Sequence, residues 1–120
     1  MFKRDSNGLI VVNRGDSFSF DLFINIGTEV MPEAYALTEN DKVLFHIMAP
    51  NAYFDDAILE KVFTQANVNE DSTVKISFEH EDTADITPGK YYYEIKLVTT
   101  SDGVQKFDTI VTKTIIYFID

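Results

Sequence analysis

A period of two residues, in which apolar and polar side chains alternate, constrains the fold of this chain most strongly. Residues 17–25 place four apolar side chains on one face and polar side chains on the other, with Phe23 as the one exception. Residues 43–47, 74–78 and 91–97 alternate in the same way and are rich in β-branched and aromatic residues. Such runs are typical of half-buried β-strands. We therefore expect an all-β protein.

Residues that favour turns separate these runs. Asn13–Asp16 and Thr87–Gly89 precede two of them, and Ser101-Asp102-Gly103 contains the Asp-Gly pair that favours a β-hairpin. The last run, Val104–Ile119, is too long for one ordinary strand. Its apolar phase changes near residues 112–114, so we expect a β-bulge or a switch between sheets there.

Seven or eight short strands in 120 residues predict an immunoglobulin-like antiparallel β-sandwich that forms one domain, residues 1–120. Two stretches are ambiguous. Residues 54–63 fit a helical stripe or a strand buried on both faces, and the β character of the chain favours the strand. Residues 27–41 have no clear period, which favours a long connection with one helical turn around residues 33–36. The residues expected in the core are Phe18, Phe20, Leu22, Phe45, Ile76, Phe78, Tyr91, Tyr93, Ile95 and Leu97.

Charge and composition narrow the classes of partner. The chain has 10 Lys plus Arg against 20 Asp plus Glu, a formal charge of −10, which repels phosphate backbones and anionic lipids. We therefore expect neither nucleic acid nor a membrane as a partner. Without cysteine, disulfides and thiolate metal sites are excluded. The first apolar run, Leu9–Val12, is too short for a signal peptide, so we expect the protein to begin in the cytoplasm.

Motifs for catalysis are missing from the sequence. There is no Gly-x-Ser-x-Gly elbow, no His-Glu-x-x-His pair and no glycine-rich phosphate loop. His46 is expected on the outward face of its strand, and the acidic segment 79–85 lacks the spacing of a calcium loop. Arg14-Gly15-Asp16 is interpreted as a turn rather than an adhesion motif. We expect no enzyme activity, catalytic residue, metal or cofactor.

Four residues are candidates for binding a partner. Tyr92 should point outward between two inward tyrosines, and Phe23 lies on the outer face of its strand. If Ile115, Tyr117 and Ile119 of the terminal run are buried, then Ile116 and Phe118 face outward, where exposed apolar side chains mark interfaces. The alternative is that both faces of this strand lie inside the monomer. The candidates are therefore Phe23, Tyr92, Ile116 and Phe118.

Four segments carry motifs in a distinctive order. They are the Gly-Asp-Ser-Phe strand opening in residues 14–20, the Tyr-x-Leu and Asn-Asp passage in 35–45, a core strand in 58–63, and Asp-Thr followed by Pro-Gly-Lys-Tyr-Tyr-Tyr-Glu-Ile in 82–95. This order resembles the N-terminal domain family of phage baseplate upper proteins, in which Gly usually stands at the place of Asn40. The resemblance covers nearly the whole chain.

The resemblance implies an immunoglobulin-like virion protein without a cofactor or catalytic residues. Such a protein docks a tail-tip or fibre component onto the baseplate. It assembles in the bacterial cytoplasm and ends in the virion tail, and its partners are other tail or baseplate proteins or copies of itself. A carbohydrate-binding sandwich for host attachment is the alternative, with Tyr53, Phe54 and Tyr92 as its only plausible aromatic platform. A small hydrolase is a third hypothesis that lacks a motif.

Overall fold

About half of the chain forms β-strands, as the alternating pattern predicts. The computed structural model describes all residues, 1–120. Its strands are β1 (Phe2–Arg4), β2 (Ile10–Asn13), β3 (Phe18–Leu22), β4 (Lys42–Met48), β5 (Leu59–Phe63), β6 (Val74–Phe78), β7 (Gly89–Ser101) and β8 (Val104–Ile119). Short 3₁₀ turns cover Phe54–Asp56 and Gln65–Asn67, and the single α-helix, α1, covers His80–Thr83. None of these helical segments is long enough to cross a membrane.

The strands form two sheets of unequal size. The larger sheet has the order β1-β2-β8-β7-β4-β5, and β3 pairs with β6 in a separate two-stranded sheet. The larger sheet curls into a half-barrel, so the expected immunoglobulin-like sandwich is not confirmed. The sheet is also not fully antiparallel, because β2 runs parallel to β8. This pairing sets Ile10 beside Ile116 and Val12 beside Phe118, and all four side chains are buried.

Stacked aromatic rings join the two sheets. The rings of Phe45 on β4 and Tyr93 on β7 stack with their centroids 5.0 Å apart, and the edge of Phe78 on β6 meets Phe45 at the same distance. Phe78 in turn stacks on Phe18 of β3, at 4.7 Å. Offset and edge-to-face contacts of this kind add to the free energy of burial. Of the ten residues expected in the core, eight are buried; the half-buried exceptions are Phe20 and Tyr91.

The predicted hairpin at Asp102-Gly103 is confirmed. Ser101 pairs with Val104 across a two-residue loop, and both loop residues have positive φ, 53° and 77°. Such loops match the right-handed twist of the strands that they join. The pairing of β4 with β7 ends at Val98, so the hairpin beyond it projects from the half-barrel. We call residues 98–109 the hairpin arm.

The predicted bulge in the last run is also confirmed. The partners of Tyr93, Ile95 and Lys96 on β8 are Thr114, Val111 and Thr109, so β8 contains extra residues at two consecutive points. Each bulge bends the strand and increases its twist. The bulges allow one 16-residue strand to serve both the arm and the curled sheet.

The two ambiguous stretches resolve differently. The strand expected over residues 54–63 forms only in its second half, because residues 54–56 make a 3₁₀ turn. The helical turn expected around residues 33–36 is wrong. Ala34 instead forms a single β-bridge with Asn25, whose side-chain oxygen accepts hydrogen bonds from the N–H groups of Gly27 and Glu33.

The expected outward facing of Ile116 and Phe118 is wrong as well. Their side chains are 0% and 1% exposed and belong to the core, whereas Ile119 is 38% exposed. The alternation is real but has the opposite phase, because the parallel pairing with β2 turns these two side chains toward the core. Ile115 and Tyr117 on the other face are half-buried. The structure therefore agrees better with the alternative, in which both faces of the terminal strand lie inside the monomer.

Replacing Phe118 by Ala should destabilise the protein by about 3–5 kcal/mol, the usual effect of emptying a buried aromatic position. Urea unfolding followed by circular dichroism measures the change. Tyr53→Ala is the matched control, because Tyr53 is 79% exposed, and its effect should stay within about 0.5 kcal/mol. Equal effects of the two substitutions would contradict the burial of Phe118.

Candidate functional site

The Arg-Gly-Asp segment is built into the fold. Gly15 has φ +80° and donates its N–H to Oγ1 of Thr83, 2.9 Å away, while its carbonyl oxygen lies 2.5 Å from Nδ1 of His80. Nε of Arg14 donates to the carboxylate of Asp120 at 3.0 Å. These contacts support the interpretation of the segment as a turn that fastens the start of β3 to α1.

We call a hydrogen-bonded contact of this kind, which links two separate elements, a joint. A second joint links the edge of the larger sheet to α1. Nζ of Lys61 on β5 donates to Asp82 at 2.8 Å, and the N–H of Glu79 donates to the same carboxylate oxygen at 2.7 Å. Burial opposes ionisation of Asp82, but these bonds from Lys61 and Glu79 hold its pKa below the usual value. The joint closes the corner between β5 and β6, which belong to different sheets.

A third joint holds the end of the long connection between β3 and β4. The hydroxyl of Tyr35 donates to Oδ2 of Asp41 at 2.5 Å, and the N–H of Thr38 donates to the same oxygen at 2.9 Å. Asp41 is only 5% exposed; burial opposes its ionisation, yet the two hydrogen bonds lower its pKa. The same bond to Asp41, with burial, raises the pKa of Tyr35 to about 12.

His46 lies on the outer face of β4, as expected, but it is buried there. It is 6% exposed, because the 3₁₀ turn at residues 54–56 covers the outer side of β4. Its ring stacks on Phe54 at 3.7 Å, Nδ1 lies 2.6 Å from the carbonyl oxygen of Phe54, and Nε2 lies 2.5 Å from Oε2 of Glu60. Both ring nitrogens are thus occupied by groups of the protein. The cluster holds the turn on the sheet and has no nitrogen free for a substrate.

The aromatic side chains on this outer side are paired with lysines. Nζ of Lys96 lies 4.5 Å from the ring centre of Phe54. Tyr92, expected to be a lone outward residue, is half-buried, with Lys90 and Lys113 at 5.4 and 5.2 Å from its ring centre. Cation–π contacts of this kind occupy ring faces. Only Tyr53 of the three platform residues remains widely exposed.

An open cleft of about 510 Å³ lies beside α1. Its apolar lining includes Ile58 and Tyr91, and its acidic lining includes Glu81, Asp82 and Asp85. Asp82 is already bound to Lys61. The structure contains no group of three His, Cys, Asp or Glu side chains placed to hold a metal ion. The cleft is therefore lined in part by acidic side chains, but these are not placed to bind a metal ion.

Exposed apolar side chains gather at the end of the molecule that carries the hairpin arm. The topology defines this end, because β3 ends, β4 and β6 begin, and β7 enters the arm there. Six of the eleven large apolar residues that are exposed belong to the β3–β4 connection or to the arm. We call them the arm-end residues: Phe23, Ile26, Val30, Met31, Val104 and Phe107.

The arm-end residues are the best candidate for a functional surface. Val30 and Met31 are 90% and 77% exposed, and Val104 and Phe107 are 68% and 54% exposed. Clusters of exposed apolar side chains are typical of interaction sites. The connection that contains Val30 and Met31, residues 23–41, carries three exposed acidic side chains, Glu29, Glu33 and Glu39, and no Lys or Arg. This connection is therefore both apolar and negatively charged, whereas the exposed Lys106 lies between Val104 and Phe107 on the arm.

The structure separates the four sequence candidates. Phe23 is 45% exposed and belongs to the arm-end residues, whereas Tyr92 is half-buried between lysines and Ile116 and Phe118 lie in the core. The other arm-end residues were not predicted. Apolar residues next to turn formers, as in Val30-Met31-Pro32 and Gly103-Val104, are a signal that could have indicated some of them.

Comparison with known proteins found no relative of this chain. No family model matches the sequence, and neither a curated protein nor a solved structure is significantly similar to it. We therefore infer a function from the geometry of the chain and from the motifs in residues 14–20, 35–45, 58–63 and 82–95.

Replacing Asp41 by Asn should lower the free energy of unfolding at pH 7 by about 1–3 kcal/mol, because a buried charged acceptor is lost. The pKa of Asp41 is lower in the folded protein than the unfolded value of 3.8, so its ionisation stabilises the fold above that pH. The stabilisation disappears as the pH falls through the folded pKa.

Urea unfolding of both proteins from pH 7 to pH 2 measures this effect. The difference in stability between wild type and Asp41→Asn should shrink on acidification below about pH 4, where the unfolded carboxylate takes up its proton. Glu39→Gln removes an exposed carboxylate from the same connection and serves as the control. A difference that is constant with pH would contradict the role of the Asp41 charge.

Proposed function

We propose that this protein is a non-enzymatic structural protein of a phage or prophage virion. In this role it is a tail or baseplate assembly module that docks tail-tip or fibre components. The observation that carries the proposal is the concentration of exposed apolar side chains at the arm end. Enzymes concentrate their chemistry in clefts with perturbed titratable groups. In this chain the perturbed groups, such as Asp41 and Asp82, serve joints of the fold instead.

The resemblance to the baseplate upper protein family supports the proposal through the positions of its motifs. Gly15 of the first segment bonds to Thr83 of the fourth, and Lys61 of the third segment bonds to Asp82 of the fourth. Within the second segment, Tyr35 bonds to Asp41. The motif residues are thus those that hold the elements together, which suits a family related by fold rather than by a catalytic site.

We include an immunoglobulin-like fold in the same proposal. An immunoglobulin-like sandwich has two sheets with a shared core. Here, β3 and β6 supply the smaller sheet, and their inward aromatic rings contact those of the larger sheet. We therefore regard the half-barrel as a curled variant of that arrangement. Assembly in the bacterial cytoplasm and a final place in the virion tail follow from the proposed role.

The chemistry of the arm end indicates what kind of protein surface would fit it. Apolar side chains such as Val30 and Met31 need an apolar counterpart, and the acidic side chains around them favour Lys or Arg at its rim. Because the whole chain carries a formal charge of −10, a basic partner would also be attracted over a distance. Another tail or baseplate protein with such a surface is the partner that we propose.

A carbohydrate-binding role in host attachment is the alternative. Sugar binding by stacking needs an open aromatic face. Tyr53 offers one, but Phe54 lies between contacts with His46 and Lys96, and Tyr92 lies beside two lysines. The alternative therefore depends on a single ring, and we favour the assembly role.

The double substitution Val30→Asp with Met31→Asp tests the assembly role. Binding to the purified tail and baseplate proteins encoded beside its gene is measured by light scattering and calorimetry. We expect at least one of these proteins to bind, and the double variant to weaken that binding by tenfold or more, about 1.4 kcal/mol. The physical reason is that two charges replace apolar side chains that the partner would cover.

Tyr53→Asp is the control for this experiment, because it places one negative charge at an exposed aromatic residue away from the arm end. It should leave both binding and thermal unfolding unchanged. If no tail or baseplate protein binds, or if the double variant binds as tightly as wild type, the proposed role of the arm end is wrong. Binding of an oligosaccharide that Tyr53→Asp abolishes would favour the alternative.

A further inference from the structure

The longest unpaired strand edge in the molecule lies on β8. Strand β8 pairs with β7 along most of its length, but β2 covers its other edge only at residues 116–119. No backbone hydrogen bond joins residues 104–111 to anything other than β7. The exposed strand edge therefore begins at the hairpin loop and continues through the arm. Such edges are templates for pairing with another chain unless they are blocked.

The hairpin loop determines which residues of this edge have backbone N–H and C=O groups that point away from β7. In a two-residue hairpin the flanking residues, here Ser101 and Val104, form a hydrogen-bonded pair, and such pairs alternate with non-hydrogen-bonded ones. The N–H and C=O groups of Val104, Lys106 and Asp108 thus point toward β7. Those of Gln105, Phe107 and Thr109 point away from it, toward solvent.

The sequence of this edge is complementary to itself. If two copies pair antiparallel with Phe107 opposite Phe107, then Lys106 lies opposite Asp108 and Gln105 lies opposite Thr109. At the ends, Val104 comes opposite Ile110. Each apolar residue therefore meets an apolar one, and each charge meets one opposite charge, so that the Lys106–Asp108 pair occurs twice, once on each side of the axis. Opposite charges in directly facing positions stabilise a strand pair.

The alternation of hydrogen-bonded and non-hydrogen-bonded pairs along the edge fits the same register. Phe107 lies on the axis, and its outward N–H and C=O groups are those that a partner strand needs there. Gln105 and Thr109 also point outward, so they form the next hydrogen-bonded pairs, and the register makes six backbone hydrogen bonds. Lys106 and Asp108 occupy the non-hydrogen-bonded positions, where facing side chains come closest.

We propose that two copies of this protein associate through the β8 edges of their hairpin arms, antiparallel and centred on Phe107. The partner is thus a second copy of the chain, which adds a defined self-association to the assembly role proposed above. The Lys106–Asp108 contact within one chain, 3.7 Å long and exposed, is exchanged for two such contacts between chains. A two-fold interface of this kind is closed, because each copy uses its own edge once.

The bulges limit the interface. The unbroken register of β8 with β7 runs from Val104 to Thr109, and the first bulge follows there. A bulge bends the strand away from a flat partner, which blocks further pairing beyond this point. Only a short strand can therefore add to the edge. The facing pairs between Gln105 and Thr109 lie within the regular register, whereas Ile110, which faces Val104, lies at the first bulge.

Charge reversal at two positions tests the register. Lys106→Asp places like charges opposite each other twice, and so does Asp108→Lys. Each single variant should therefore be a monomer under conditions in which wild type is a dimer, with twice the 13.7 kDa mass of one chain. A mixture of the two variants should form heterodimers, because every facing pair is then opposite in charge. The chain with both substitutions should dimerise like wild type.

Sedimentation velocity over a concentration series, at about 0.15 M ionic strength to screen the long-range repulsion, measures the association. Lys3→Asp makes the same charge change on the exposed side of β1 and is the control, which should still dimerise. Phe107→Pro is a second substitution that should prevent pairing, because it removes an outward N–H that β7 does not use. It should therefore weaken association more than it lowers the thermal stability of the monomer.

Three results would overturn the proposal. The first is a wild-type protein that stays monomeric up to about 1 mM, the weak limit of specific association. The second is a dimer that both single charge variants retain. The third is a failure of the mixed variants to associate when each is folded by circular dichroism. None of these results bears on the docking of tail proteins to Val30 and Met31, which is measured separately.

Discussion

The pairing of β7 with β8 is the interaction on which the rest of the structure depends. These two strands form the centre of the larger sheet, and the other strands add to them: β4 joins β7 on one side, and the last four residues of β8 receive β2 on the other. Tyr93 in the middle of β7 is fully buried, stacks on Phe45 and donates its hydroxyl to the carbonyl of Gly8. Burial raises the pKa of this hydroxyl, so the bond remains intact far above neutral pH.

The length of this hairpin divides the molecule into two ends with different physical character. At one end, polar joints such as Gly15–Thr83 and Lys61–Asp82 tie turns and strands together. At the other, β7 and β8 extend past β4, and the long β3–β4 connection has no regular structure beyond one bridge. Polar groups also stabilise the second end, because the Tyr35–Asp41 joint lies there, directly before β4. The second leaves apolar side chains and a strand edge exposed, and both of our functional proposals are therefore located there.

Prediction from the sequence succeeded where neighbouring residues decide the structure. The Asp102-Gly103 hairpin depends on a loop of two residues, and the bulge depends on a change of apolar phase that is visible near residues 112–114. Prediction missed the burial of His46 on the outer face of β4, because its cover comes from a 3₁₀ turn eight residues away. It failed again at Ile116 and Phe118. In a terminal run of five apolar residues both phases of alternation are equally apolar, so the pattern could not tell which face is inside.

The β-rich character of the chain, the places of its turns and most of its core follow from local sequence. The reason is that the alternation of side chains and the conformational preferences of turn residues act between near neighbours. The parallel addition of β2 to β8, the curl of the larger sheet and the facing of the last strand depend on contacts between distant segments. The same contacts determine which apolar residues remain uncovered: Val30 and Phe107 are as apolar as Val12 and Phe118. Their exposure follows from strand order, since a side chain is buried only when another element of the chain is placed against it.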